Sequence, residues 1–147
     1  MRQLLAKAAE YGVHVHYAHL RPGIRGFYDH DEQRIYLSLR LAHFERRSTL
    51  AHELGHAHYG HDCTTARNER QARAYAARLL IDPEEYARLE RINPDQHHLA
   101  EEFSVTPRII FDFEQFCLTP LRGVTYASAR HGLGQWAHMA LRPQEAI

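Results

Sequence analysis

Apolar and polar positions in the first forty residues predict a short helix followed by a small sheet. Apolar residues recur at helical spacing over residues 2–11, and Gly12 is a typical end for such an amphipathic helix. The stretch VHVHY, residues 13–17, alternates β-branched and polar residues, and residues 26–39 form two strand patterns around a polar turn at residues 29–33. We therefore expect a sheet of about three strands.

The pattern then changes to helical spacing for most of the remaining chain. It predicts helices over residues 45–58, 68–81, 83–92, 94–103 and 107–116. Asp82, Pro83 and Glu85 have the order of a capping box at the third of these helices. Asn93 before a proline and Thr106 before a proline are expected to open the last two. The predicted fold class is α+β: a small twisted antiparallel or mixed sheet packed on one central helix, followed by a helical C-terminal part.

Length and composition narrow the class of protein. We expect the 147 residues to form a single domain, with a core over residues 1–92, a segment resembling a helix-turn-helix over 93–117, and a tail over 118–147 whose pattern is weakest. That tail favours a strand near residues 123–127 and a helix around 136–141. Lysine plus arginine and aspartate plus glutamate each number 18, so no overall charge favours nucleic acid or an anionic membrane.

Cysteine usage and the apolar runs favour a cytoplasmic protein. The two cysteines, Cys63 and Cys117, do not have CxxC spacing, and this argues against a disulfide framework or a thiolate zinc site. Neither the N-terminal stretch nor any later run resembles a signal sequence or a membrane span. We expect no membrane partner.

The stretch LAHELGHAHYGHD, residues 50–62, contains four of the chain's 13 histidines and an HExxH motif. On a helix, His52 and His56 lie on the same face one turn apart, so both imidazoles can bind one zinc ion. Glu53 lies beside the metal position, where it can accept a proton from an attacking water. The segment predicts two metal ligands and a general base.

A zinc site of this type needs a third protein ligand, and Glu69 is the candidate. It begins the apolar stripe of helix 68–81, where a carboxylate facing the core needs a cation. If the two helices pack antiparallel, Glu69 lies opposite the two histidines. His61 follows His56 by five positions, whereas an HExxHxxGxxH site requires six, so His61 is rejected as the third ligand.

Two quoted segments carry a family resemblance. TLAHELGHAHYGH followed by NERQARAYAARLLIDP resembles the ImmA/IrrE family of zinc metallo-endopeptidases over about residues 26–83. The resemblance implies that His52, His56 and Glu69 bind one Zn²⁺ per chain, with Mn²⁺ as a substitute, and that Glu53 is the general base. It also implies a thermolysin-like core in which an edge strand, here Arg34–Leu39, binds the substrate in extended form.

The same resemblance implies a substrate and a reaction. Family members commonly cleave a helix-turn-helix transcriptional repressor and so relieve repression of phage, mobile-element or stress genes. Zinc would activate a water molecule and polarise the scissile carbonyl. A hydrogen-bond donor to the developing oxyanion is expected as well, and the sequence leaves Tyr59, His61 and His131 open for this position or for support of the metal ligands.

Two alternatives belong to other functional classes. The chain could be a catalytically silent zincin-like protein that sequesters a repressor in its cleft. It could also be a DNA-binding protein, because residues 99–116 have the pattern of a helix-turn-helix. Arg108 in that segment is offset by Asp112 and Glu114, which argues against phosphate binding and favours packing of the segment onto the core.

Overall fold

The computed structural model describes residues 1–118, which form a three-stranded mixed sheet and six α-helices. In chain order the elements are α1 (Arg2–Glu10), β1 (His14–Ala18), β2 (Gly26–Asp29), β3 (Arg34–Ser38), α2 (His43–Tyr59), α3 (Ala66–Leu80), α4 (Pro83–Ile92), α5 (Gln96–Phe103) and α6 (Pro107–Phe113). A π-helical segment, Glu114–Leu118, follows α6 directly. The predicted α+β class is confirmed. The elements predicted near residues 123–127 and 136–141 lie outside the described residues.

The strand order corrects the prediction about the sheet edge. The order is β1-β3-β2, with β3 parallel to β1 and antiparallel to β2. The prediction that residues 34–39 form an edge strand is therefore wrong, because β3 lies in the middle of the sheet. Its side chains Ile35 and Leu37 are fully buried, as expected for a central strand. Within residues 1–118, β2 has one unpaired edge.

The register shows which backbone groups of β2 face away from β3. The Ser38 amide donates to the Arg25 carbonyl at 2.8 Å, which fixes the hydrogen-bonded pairs of this antiparallel ladder. These pairs alternate with unbonded ones, so the main-chain groups of Gly26 and Tyr28 point to the outer edge of β2. This edge offers hydrogen-bonding groups to an extended chain.

Helix α2 packs on the sheet with one face and on α3 with another. Ser48, Ala51, Leu54 and Gly55, which recur at helical spacing, are all buried. A Cβ added to Gly55 would lie 2.8 Å from the Ala72 Cα and 2.9 Å from its carbonyl oxygen. The two helix backbones therefore touch at this position, and only glycine permits so close an approach.

The helical C-terminal part packs onto α3 rather than standing free. Ile109, Ile110 and Phe113 of α6 are buried in the same core as the sheet and α2. Glu114 accepts hydrogen bonds from the Tyr86 hydroxyl at 2.8 Å and the Gln96 amide at 2.6 Å, which connects α4 and α5 to the end of α6. The helix-turn-helix-like segment therefore packs onto the core, as the sequence favours.

Helices α2 and α3 each begin two residues earlier than predicted, and the capping of α4 and α5 also differs from the prediction. The capping box at α4 does not form: Asp82 precedes the helix, but its side chain makes no cap hydrogen bond, and Glu85 pairs with Arg88 instead. Helix α5 begins two residues later than predicted because Asp95 takes the capping role, and its carboxylate accepts from the His98 amide at 3.0 Å. Both capping differences lie at helix ends and leave the core unchanged.

No helix within residues 1–118 has the length and hydropathy needed to cross a membrane.

Candidate metal centre and active site

Three side chains from two helices converge at one point. His52 and His56 lie one turn apart on α2, and Glu69 lies on the first turn of α3. One donor atom from each comes within 4.8 Å of the others. Within residues 1–118, this is the one group of three or more histidine, cysteine or acidic side chains with metal-binding geometry.

The turn between the helices determines where Glu69 lies. Gly60 ends α2 in the left-handed conformation, with φ of 64°, which glycine adopts without strain. Thr65 then caps α3, its hydroxyl accepting from the Asn68 amide at 3.1 Å. With the close helix contact at Gly55, this hairpin turns the Glu69 carboxylate toward α2. Packing of the two helices, predicted from the sequence, is therefore observed.

The donor atoms fit a zinc ion. His52 Nε2 and His56 Nε2 are 3.2 Å apart, and the Glu69 carboxylate bridges them, with Oε2 at 3.3 Å from His52 Nε2 and Oε1 at 3.2 Å from His56 Nε2. In a tetrahedral site, zinc–nitrogen distances of about 2.0–2.1 Å place neighbouring donors about 3.3–3.4 Å apart. Two imidazoles and one carboxylate are also a donor set that zinc prefers when one position stays open for catalysis.

The charges of the cluster also favour a cation. Burial lowers the pKa of His52, and burial together with His52 lowers the pKa of His56 to about 4. Both imidazoles are therefore neutral at physiological pH, which is the form that binds metals. The Glu69 carboxylate, 37% exposed, then has no cationic partner among these donors. A divalent cation would complete the charge balance.

Glu53 lies beside the donor cluster, in the wall of a cavity of about 330 Å³. Its side chain is only 7% exposed. Burial, with repulsion from Glu69, raises the pKa of the Glu53 carboxyl to about 8. A hydrogen bond from the Tyr28 backbone to this carboxyl acts in the opposite direction and lowers the pKa. A nearby divalent cation would lower this pKa again, because it favours the ionised carboxylate. The group is thus placed to exchange a proton near neutral pH.

The cavity wall combines α2, α3 and the edge of β2, since Gly26 and Tyr28 line it together with the donor cluster. A comparison with protein families bears directly on this arrangement. The model of the IrrE N-terminal-like domain, a peptidase family, matches residues 8–110, a range that contains every element of the cavity wall. The chain belongs to the IrrE N-terminal-like domain family. Comparisons with curated proteins and with solved structures found no match.

In this IrrE N-terminal-like domain, His61 lines the cavity and contacts His56 of the donor cluster. Its Nδ1 lies 2.9 Å from His56 Nδ1, and its Nε2 lies 3.2 Å from Gln71 Oε1. When His56 Nε2 faces a metal, its proton resides on Nδ1 and is donated to His61, which donates its own Nε2 proton to Gln71. Both nitrogens of His61 are then engaged, so His61 orients the imidazole of His56 and is a poor candidate for the oxyanion donor.

The other two donor candidates are placed differently. Tyr59 ends α2, where its ring stacks on His61 and its hydroxyl accepts a hydrogen bond from Arg78 Nη2 at 3.3 Å. It is not among the residues that line the cavity. His131 lies outside the described residues.

His30 is a cavity residue that the sequence interpretation missed. It follows β2 directly, lines the cavity that contains the donor cluster, and is exposed to solvent there. The signal that could have found it is its place at the end of an edge strand. An edge strand expected at residues 34–39 places the substrate there, so the end of β2 is not expected to contact it. His30 is a candidate donor to a substrate oxygen.

Proposed function

We propose that the protein is a zinc-dependent endopeptidase. The observation that carries the proposal is the convergence of two imidazole nitrogens 3.2 Å apart and one carboxylate, whose two oxygens lie 3.2–3.3 Å from those nitrogens. Membership of a peptidase family supports the same reaction class. A bound zinc ion would polarise the scissile carbonyl and make a water molecule a stronger nucleophile, and Mn²⁺ is a plausible substitute.

The residues of the chain would divide the work around that ion. Glu53, buried beside the donors, accepts a proton from the attacking water and delivers it to the leaving amine. The outward backbone groups of Gly26 and the outward carbonyl of Tyr28 hold the substrate as an added strand, which presents one peptide bond to the cluster, while the Tyr28 backbone amide is bonded to Glu53. His30 is the candidate that stabilises the developing oxyanion.

The substrate we propose is a helix-turn-helix transcriptional repressor in the cytoplasm. The family resemblance is the support for this choice, and the unpaired edge of β2 suits an extended segment of the substrate. Cleavage within such a repressor would relieve repression of the genes that it controls. Direct binding of nucleic acid is not part of the proposal, because α6 has most of its apolar residues buried against the core.

The decisive experiment compares Glu53→Gln with the unaltered protein. Both are loaded with zinc and incubated with the repressor encoded next to the gene, and fragments are identified by mass spectrometry. Glu53→Gln should bind zinc normally and cleave at least about 100-fold more slowly, because the general base is lost. Equal cleavage by both proteins would contradict the mechanism.

A cellular version separates cleavage from sequestration, the alternative in which the cleft only holds the repressor. If Glu53→Gln relieves repression as well as the unaltered protein does, sequestration is favoured and the peptidase proposal fails. If repression persists with Glu53→Gln, cleavage is required.

A further inference from the structure

A second cavity, of about 250 Å³, adjoins the metal centre on the side opposite the α2–α3 turn. Its wall includes Arg25 before β2, Arg73 on α3 and Arg108 on α6. The cavity of about 330 Å³ at the donor cluster and this second cavity share Gly26, His52 and Glu53, so the two lie on either side of the cluster. A chain that passes the cluster along β2 would extend into this second cavity.

The second cavity contains more positive than negative charge. Three arginines line it, against the carboxyl groups of Asp112 and Glu53. Asp112 is only 2% exposed and is contacted by both Arg73 and Arg108. Arg73 Nε lies 3.1 Å from each Asp112 oxygen, so that carboxylate is already matched by one guanidinium. Within residues 1–118, the positive charge of Arg108 therefore has no carboxylate of its own.

Within residues 1–118, Arg108 and Arg25 are the arginines of this cavity that keep N–H groups for a ligand. Arg108 approaches Asp112 through Nε at 3.2 Å and lies over the Phe111 ring at 5.4 Å, while its side chain is 61% exposed. Arg25 is 62% exposed, and its one ion pair among the described residues is a long contact of 3.8 Å to Glu45. A guanidinium with free N–H groups binds a carboxylate through two parallel hydrogen bonds. The cavity therefore suits one carboxylate and disfavours a lysine or arginine side chain.

We propose that this cavity is a substrate subsite for an aspartate or glutamate side chain at one fixed position near the cleaved bond. The inference rests on the peptidase function proposed above and names a feature of its substrate. Side chains of an extended peptide alternate between two sides, so one residue of a strand added to β2 would reach the cavity. Arg108 and Arg25 would bind its carboxylate.

The test uses a random-sequence peptide library and the zinc-loaded full chain. Cleavage products are sequenced by mass spectrometry for the unaltered protein, for Arg108→Glu, for the double variant Arg25→Ala with Arg108→Ala, and for Arg91→Glu. The last is a charge-matched control, because Arg91 is exposed on α4 and lines neither cavity. Arg73 stays unaltered, so Asp112 keeps its partner and folding is preserved.

In the unaltered protein and in Arg91→Glu, we expect acidic residues to be enriched about tenfold at one position of the cleaved peptides. The double variant should lose this enrichment, and Arg108→Glu should shift it toward lysine and arginine. Cleavage without acidic enrichment, or enrichment that survives both cavity variants, would overturn the subsite and leave the peptidase proposal intact.

A capture experiment reads the subsite without cleavage. Zinc-loaded Glu53→Gln is immobilised, and the library peptides that it retains are sequenced. Acidic enrichment that disappears when Arg108→Glu is added supports the subsite, even if the unaltered protein cleaves nothing and the peptidase proposal fails. Retained peptides without acidic enrichment, or no retained peptides, would refute the subsite.

Discussion

Two charged clusters lie one turn apart on α3 and are built in opposite ways. At residue 73, an arginine meets the buried Asp112 of α6, and the two charges neutralise each other. At residue 69, a carboxylate meets two histidines whose pKa values are lowered by burial, so its charge stays unbalanced. The first cluster is balanced within residues 1–118, whereas the second leaves a carboxylate that a cation could neutralise. The comparison separates an ion pair that is already complete from a candidate metal site.

Glu69→Ala should have the largest effect, and only on metal binding. Loss of a ligand should weaken zinc binding by more than about 100-fold, because even removal of the partners that orient ligands costs about 10–100-fold. The metal-free protein should keep its stability within about 0.5 kcal/mol, since Glu69 is partly exposed and unbalanced. Zinc titration and thermal unfolding with and without zinc measure the two effects. Marked destabilisation of the metal-free variant would show that the cluster is structural.

Asp112→Asn should produce the reverse pattern. It leaves Arg73, which is three-quarters buried, without its partner, so we expect the free energy of unfolding to fall by about 2–3 kcal/mol. Zinc affinity should change much less than in Glu69→Ala, since Asp112 provides no donor atom to the cluster. Urea unfolding of the metal-free protein gives the first quantity. Unchanged stability would remove the contrast between the two clusters.

His61→Ala tests how the metal cluster is supported. Without the acceptor for the His56 Nδ1 proton, zinc affinity should fall by about 10–100-fold. Gln71→Glu, which keeps an acceptor for His61 Nε2, should retain most of the affinity. His58→Ala is the matched control, because His58 contacts Tyr11 rather than a metal-site histidine. Equal losses in His61→Ala and His58→Ala would contradict the support by His61.

The pH dependence of the metal-free protein gives the smallest effect. The pKa of Glu53 is raised from 4.5 to about 8, so between these values the folded state holds a proton that the unfolded state has lost, and stability falls as pH rises. The lowered pKa of His56 acts in the opposite direction, but only below its ordinary value of 6.5.

The Glu53 contribution is therefore isolated between pH 6.5 and 8, where it amounts to at most about 2 kcal/mol. Thermal unfolding of the chelated protein should show a decline with pH across this window that is absent in Glu53→Gln. Parallel curves for the two proteins would mean that Glu53 is ionised in the folded state.

The local parts of this molecule could be predicted from its sequence. The HExxH spacing and the place of Glu69 on the next helix both follow from helical periodicity, and the structure brings His52, His56 and Glu69 together. Their roles as ligands and base remain predictions. In the predicted apolar stripe of the next helix, Ala72 and Ala76 are buried, whereas Glu69 and Leu79 are only partly buried.

The parts that could not be predicted depend on contacts between distant segments. The strand order depends on β1 pairing with β3. The alternation of apolar and polar residues within a strand carries no information about which strands lie beside it. The pair Arg73–Asp112 joins α3 to α6, and in the sequence Asp112 appeared only as a charge unfavourable to DNA. His30 and the arginine-lined cavity were missed for the same reason, because several elements must assemble before they share a surface.

The hairpin of α2 and α3 has a consequence for the unfolded chain. A metal held by His56 and Glu69 would act as a cross-link around the six-residue turn and the helix ends beside it, a loop of roughly 15 residues. Closing a loop of that size by a covalent link removes about 3 kcal/mol of conformational freedom from the unfolded state. A cation at this site would therefore act as a reversible cross-link, and its removal by a chelator would return part of this conformational entropy to the unfolded chain.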